Sequence, residues 1–264
     1  MLTPDQISFY HDNSYLLTDG IFAAEELDEL EREFDGIIER RLAQQGQIEA
    51  LWGGDWQKKY PNQQPLLHTH DLQAYSAAWT KILVHNRFTE VISDLMSCPN
   101  VQLHHTKMFL KPTESGGGFP MHQDYHYFPH ENDTMMAAVV HLSDSTEEMG
   151  CLRVVPGSHK LGPLEPFEHL YLNPEEYPIE KATPCIAERG DVLFFSYLTI
   201  HGSGLNESQE ARTTLLVQMR DPADLPTVDT HVSRGQGMML RGIDPLANAG
   251  PHVDSPRRLT IAAS

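Results

Sequence analysis

Cysteine is scarce in this chain of 264 residues: Cys98, Cys151 and Cys185 are the three it has, an odd number with no CxxC pair. A disulfide framework and a cysteine-built zinc site are thereby excluded, and a reducing cytoplasm is the expected location. Cations are also few. The 19 Lys and Arg stand against 37 Asp and Glu, a formal net charge of -18, which phosphate backbones and anionic membrane surfaces repel. Neither nucleic acid nor membrane is therefore an expected partner. No apolar run approaches the ~18 residues of a membrane span. Residues 1–10 carry neither a basic stretch nor an apolar signal core, and Ile261-Ala262-Ala263-Ser264 is not a peroxisomal tripeptide. Internal repeats and low-complexity tracts are missing too, so 1–264 reads as one compact domain.

What is present falls into two patterns. Thr3, Pro4 and Gln6 have the spacing of a capped helix start. Leu27, Leu30, Phe34, Ile37, Ile38 and Leu42 then recur at helical spacing before Gly46, and two further helical patterns lie between Leu72 and Met96. Between them, Trp52-Gly53-Gly54-Asp55-Trp56 and Tyr60-Pro61 have the composition of a pocket edge or lid. After Pro99 the chain turns to short β-rich runs: Val101 to Lys111, Met135 to His141, Cys151 to Val155, Val192 to Phe195 and Thr213 to Met219. Turns are expected at Ser115 to Gly118, Pro156-Gly157-Ser158 and Arg189-Gly190-Asp191. Helices first and strands later predict a mainly β fold with flanking α, a jelly roll (double-stranded β-helix, cupin-like) with N-terminal supporting helices. Residues 1–98 form the support and pocket edge, 99–221 the core, and 222–264 a tail wrapping it as loops.

The chemistry concentrates at His122, Gln123 and Asp124. On a strand, the two-residue period sends His122 and Asp124 to one face and Gln123 to the other. An Asp facing an apolar barrel is costly without a cation. His201 from a distant strand would complete a two-His, one-carboxylate set, which leaves one side of an octahedral Fe(II) open. The glycines of His201-Gly202-Ser203-Gly204 permit close backbone approach there. Arg212 begins the apolar run Thr213 to Val217, and if it points inward its planar fork suits a carboxylate.

These motifs together resemble the phytanoyl-CoA dioxygenase family of Fe(II)- and 2-oxoglutarate-dependent oxygenases. The resemblance runs from His105-Thr106 and Lys111-Pro112 through His122-Gln123-Asp124 and His126-Tyr127-Phe128-Pro129. It continues in Gly150-Cys151-Leu152, Pro156 to Lys160 and Gly190 to Phe195, and ends at His201 to Gly204 and Arg212. It implies His122, Asp124 and His201 as iron ligands, with Arg212 holding the distal carboxylate of 2-oxoglutarate, helped by Ser203. Gln123 and Lys107 are further candidate cosubstrate contacts. Lys107 stands where the family carries an apolar side chain, so it either adds a charge contact or points to solvent. Val139 replaces a bulky aromatic of some members and implies a roomier pocket.

The implied reaction consumes 2-oxoglutarate and O2, releases succinate and CO2, and hydroxylates an aliphatic C–H of a small molecule. Asp124 speaks against the family's halogenases, which carry a small residue in its place. His126, Tyr127 and His105 are candidates for orienting a ligand or touching substrate, and Trp52, Trp56, Tyr60, His68 and Tyr75 for its wall. Arg153, His159 and Lys160 have the composition of a solvated turn. An acyl-CoA would need a cationic landing, for which Lys58-Lys59 is the main candidate. Two other readings stay open: a jelly roll that binds metal and 2-oxoglutarate as a sensor without turnover, and a cupin-like metal isomerase.

Overall fold

The computed structural model describes residues 2–43, 67–113, 117–228 and 232–247. Helix α1 (Pro4–Asn13) starts on the expected capping box: the Gln6 amide donates to Thr3 Oγ1 at 3.2 Å, and the Thr3 amide to Gln6 Oε1 at 2.9 Å. Helices α2 (Ala24–Ala43), α3 (Ala77–Leu83) and α4 (Asn86–Met96) follow as the apolar spacing predicts. Gly46, Trp52, Trp56, Lys58, Lys59, Tyr60, Ser115 and Gly116 lie outside the described residues.

Eleven strands are described: β1 (Tyr15–Thr18), β2 (Leu67–His70), β3 (Val101–Lys111), β4 (Phe119–His122), β5 (Met136–His141), β6 (Leu152–Val154), β7 (Thr183–Pro184), β8 (Val192–Ser196), β9 (His201–Ser203), β10 (Arg212–Arg220) and β11 (Met239–Arg241). They form two antiparallel sheets, the larger ordered β1-β8-β5-β10-β3-β11 with β2 also on β3, the smaller β4-β9-β6-β7. This is the jelly roll that the run of strands predicts. The tail departs from its expected all-loop form, because β11 adds a strand beside β3.

Alternation along the larger sheet decides where the core and the site lie. Met136, Ala138 and Val140 of β5, Leu215 and Val217 of β10 and Phe194 of β8 pack with Leu30, Phe34, Trp79, Phe88 and Ile92 from the helices. The residues between them point the other way, where Ala137, Val139, Leu193 and Phe195 pack with Val154 of the smaller sheet. A strand covered on both faces reads as a continuous buried run. That is the pattern of β3, whose polar His105, Lys107 and Thr106 are all buried.

Candidate active site

Cross-strand pairing of β4 with β9 sets His122 opposite His201, with ring centroids 4.3 Å apart. Gly202 makes that approach possible: a Cβ there would lie 2.8 Å from Met121 Sδ and 2.8 Å from Phe119 O. The strand carrying His122 ends at that residue. Asp124 therefore does not share its strand but opens a 3-10 turn, Asp124–Tyr127. The turn still brings Asp124 Oδ1 to 3.5 Å from His122 Nε2 and 3.8 Å from His201 Nε2. The three candidate ligand atoms lie within 4.8 Å of one another.

Each ring is fixed from behind. His122 Nδ1 donates to Pro120 O at 2.7 Å and His201 Nδ1 to Thr199 O at 2.9 Å, which leaves both Nε2 lone pairs facing Asp124. Asp124 Oδ2 accepts from Gln218 Nε2 at 2.6 Å. Burial raises the Asp124 carboxyl, but His201, His122 and Lys107 outweigh it and hold it at about 2. Burial and His122 lower His201 to about 4 against the pull of Asp124. A neutral imidazole at His201 and an ionised carboxylate at Asp124 are states that metal binding requires. Two imidazoles and one carboxylate, presented from one side, are the donor set that fits Fe(II).

The triad opens into a cavity of about 290 Å3 between the two sheets. Arg212, the first residue of β10, points into it and is 4 % exposed. Its Nη1 donates to Gly150 O, while its Nε is buried with no hydrogen-bond partner among the described atoms. Burial lowers the guanidinium to about 10, so it remains charged at neutral pH. A buried charged donor with an N–H to spare fits the distal carboxylate of a dicarboxylic acid.

The other expected contacts divide. Lys107 lines the cavity and is 6 % exposed, which excludes its solvent-facing alternative. Burial pulls its ammonium down to about 8, with Asp124 opposing. Gln123 is turned away from the cavity. Its Nε2 donates to Leu198 O at 2.7 Å and Gly162 O at 3.0 Å, and its Oε1 accepts from Leu164 N at 2.9 Å. It braces two loops, around Gly162–Leu164 and Leu198, and is not placed as a cosubstrate contact. Ser203 accepts from Lys111 Nζ at 2.8 Å and lines a neighbouring cleft, with Tyr171 and Tyr177, instead of the cavity beside the triad. His105 and Tyr127 line the cavity, as does Val139, whereas His126 and His68 do not. Tyr75 packs against the helical core. Gln218 and His70 are cavity residues that motif reading passed over. Gln218 was findable, since it lies an even number of residues from Arg212 on one strand and so shares its face.

Burial also makes the fold acid-sensitive. Desolvation holds His68, His141 and His201 each at about 4. Unfolded, these rings take up protons near pH 6.5, whereas folded they refuse them until about pH 4. Stability is thus unaffected above pH 7 and falls as the pH drops from 6.5 towards 4. Urea midpoints of chelator-treated protein are expected to fall progressively over that window, with unfolding taking up about three protons near pH 5. A flat midpoint between pH 7 and 5 would contradict this burial.

Comparison with known proteins agrees with the geometry. A sequence model of a family described as phytanoyl-CoA dioxygenase (PhyH) matches residues 10–214. The peroxisomal phytanoyl-CoA dioxygenase of Homo sapiens is 27% identical over 232 residues, covering 81% of this chain and 67% of that protein. Among solved structures, the non-heme alpha ketoglutarate dependent carbocyclase SnoK superposes with TM-score 0.73 at 17% identity, over 90% of this chain and 93% of its own. The epimerase SnoN, in complex with Fe3+, alpha ketoglutarate and nogalamycin RO, gives TM-score 0.68 at 21% identity, over 90% and 98%. At these identities the two structures speak to the fold. No helix of the described residues is long and apolar enough to cross a membrane.

Proposed function

Since the chain belongs to the phytanoyl-CoA dioxygenase family, and is thereby a 2-oxoglutarate-dependent non-haem iron oxygenase, we propose that it hydroxylates an aliphatic C–H of a small organic molecule. In this reading His122, Asp124 and His201 hold Fe(II), and Arg212 binds the distal carboxylate of 2-oxoglutarate. The observation that carries it is the convergence, in one cavity, of that triad and the Arg212 Nε. Bound there, iron, 2-oxoglutarate and O2 supply the oxidation, and the cosubstrate leaves as succinate and CO2.

The chain's own residues position and exclude. Pro120 O and Thr199 O hold the two rings in one tautomer. Gln218 holds the outer oxygen of Asp124, so that the inner one faces both histidines. Phe195, whose ring centroid is 4.5 Å from that of His201, together with Phe119, Phe109 and Leu216, gives the reacting centre an apolar surround. We further read 1–264 as a single oxygenase domain, because α1 to α4 share one core with the larger sheet. Three free cysteines support a cytoplasmic location.

The test is a metabolite-library screen on anaerobically iron-loaded protein, reading succinate after O2 is admitted. At least one small molecule is expected to accelerate succinate release and to return with an added hydroxyl. Protein that binds 2-oxoglutarate yet releases no succinate with any compound would instead be a sensor.

A further inference from the structure

Resting on the metal-triad reading above, we infer that Thr199 is a positioning residue for His201, and that Ser14, at the C-terminal cap of α1, holds Thr199 in that role. His201 begins β9, and residues 197–200 link it to the end of β8. The link belongs to no strand, yet all of it is buried, so its backbone groups need partners other than water. Every one of them has a partner. On one side, Tyr125 N, from the turn that carries Asp124, donates to Tyr197 O at 3.2 Å, and Gln123 Nε2 donates to Leu198 O at 2.7 Å. On the other, Ile200 N donates to Ser158 Oγ at 2.8 Å and Val155 N to Ile200 O at 2.9 Å. Between them, Thr199 O accepts from His201 Nδ1 at 2.9 Å. The link thus registers the segment bearing His122 and Asp124 against the one bearing His201.

The two histidines differ in what fixes their acceptors. Pro120 O, which holds His122, lies within β4, whereas Thr199 O lies outside any strand and is held through the side chain of its own residue. Thr199 Oγ1 donates to Ser14 O at 2.9 Å and lies 2.7 Å from Ser14 Oγ. A hydroxyl has one proton, and Thr199 gives it to Ser14 O, so Ser14 Oγ donates to Thr199 Oγ1. Ser14 and Thr199 are both buried. Ser14 also has a left-handed backbone, φ 60°. Glycine would adopt that conformation with less strain but would lack the hydroxyl. A shift of Thr199 O turns the His201 ring about its Nδ1 contact and carries Nε2 away from its place beside Asp124 Oδ1. The end of α1, outside both sheets, thereby bears on the geometry of the triad.

The test reads metal binding by the full-length protein without turnover: an anaerobic Fe(II) titration, and the visible ligand-field spectrum of the Co(II)-loaded form as a report on coordination geometry. Thr199→Val, similar in shape but without the hydroxyl, is expected to weaken Fe(II) binding about tenfold, the lower end of the range for outer partners of metal ligands, and to shift the Co(II) bands. Thr199→Ser keeps the hydroxyl and should stay within about twofold of the parent. Ser14→Gly removes the outer hydroxyl while relieving the left-handed backbone. The thermal midpoint of the metal-free protein should therefore hold, while Fe(II) affinity falls about fivefold, the worth of one hydrogen bond. That variant settles the question where Thr199→Val does not fold. An Fe(II) affinity within about twofold of the parent with an unchanged Co(II) spectrum, in Thr199→Val or in Ser14→Gly, would overturn the assignment. So would a Thr199→Ser variant as weak as Thr199→Val, or an Fe(II) affinity that falls only in step with the thermal midpoint. A parent that binds neither Fe(II) nor Co(II) is a different result, and sinks the metal-triad reading itself.

Discussion

Asp124→Ala is expected to cut succinate formation by about 100-fold or more, since even the outer partners of metal ligands are commonly worth 10- to 100-fold. The variant leaves His122 and His201 paired across β4 and β9, because backbone hydrogen bonds and the Gly202 approach set that register without the carboxylate. The fold should therefore survive. Asp124 sits in a turn, and Gln218 is its one described hydrogen-bond donor outside the triad. His201→Ala is expected to behave alike. The measurement is succinate release together with Fe(II) binding, each against the thermal midpoint. Turnover within twofold of the parent would remove the triad from the chemistry, and a collapsed midpoint would show its role to be structural.

Arg212→Ala is expected to weaken 2-oxoglutarate binding by about 100-fold, the equivalent of losing ~3 kcal/mol of charge-assisted contact. Lys111 Nζ shares Gly150 O with Arg212, so that carbonyl keeps a donor in the variant. Arg212→Lys should recover only part of the affinity, because an ammonium cannot reproduce the planar fork. An anaerobic cosubstrate titration of the iron-loaded protein decides the matter. An unchanged midpoint would exclude Arg212 from the cosubstrate site.

Much of this was legible in the residue order, for physical reasons that differ from place to place. The strand Val101–Lys111 stands where its β-rich run predicts, because both of its faces are covered and the whole segment had to be buried. Helix α1 follows from its capping box, a signal contained within four residues. The short pairings were not legible. Strands β1, β2 and β11 are three or four residues long and exist because a neighbouring strand offers free backbone groups, which no local pattern encodes. Within the site, the even spacing of His122 and Asp124 pointed to the correct neighbours through an incorrect local structure: a turn, not a strand, brings the carboxylate round. Gln123 was misjudged because it stands between two candidate metal ligands, whereas its amide is spent wholly on three backbone groups. For Lys107 the chain's composition favoured neither alternative, and only the placement of β3 between helices and cavity settled its burial.

The two faces of the larger sheet tolerate substitution differently. Met136, Ala138, Val140, Leu215 and Val217 meet the helices, and exchanging them opens voids in the main core. Val139, Leu216, Phe109 and Lys107 alternate with residues of that kind yet border a cavity, where a change of size alters what fits more than what folds. Substitutions at alternate residues can therefore change substrate preference while the scaffold stays constant. A library confined to those cavity-facing positions should retain a high proportion of folded members and diversify in the substrates it accepts.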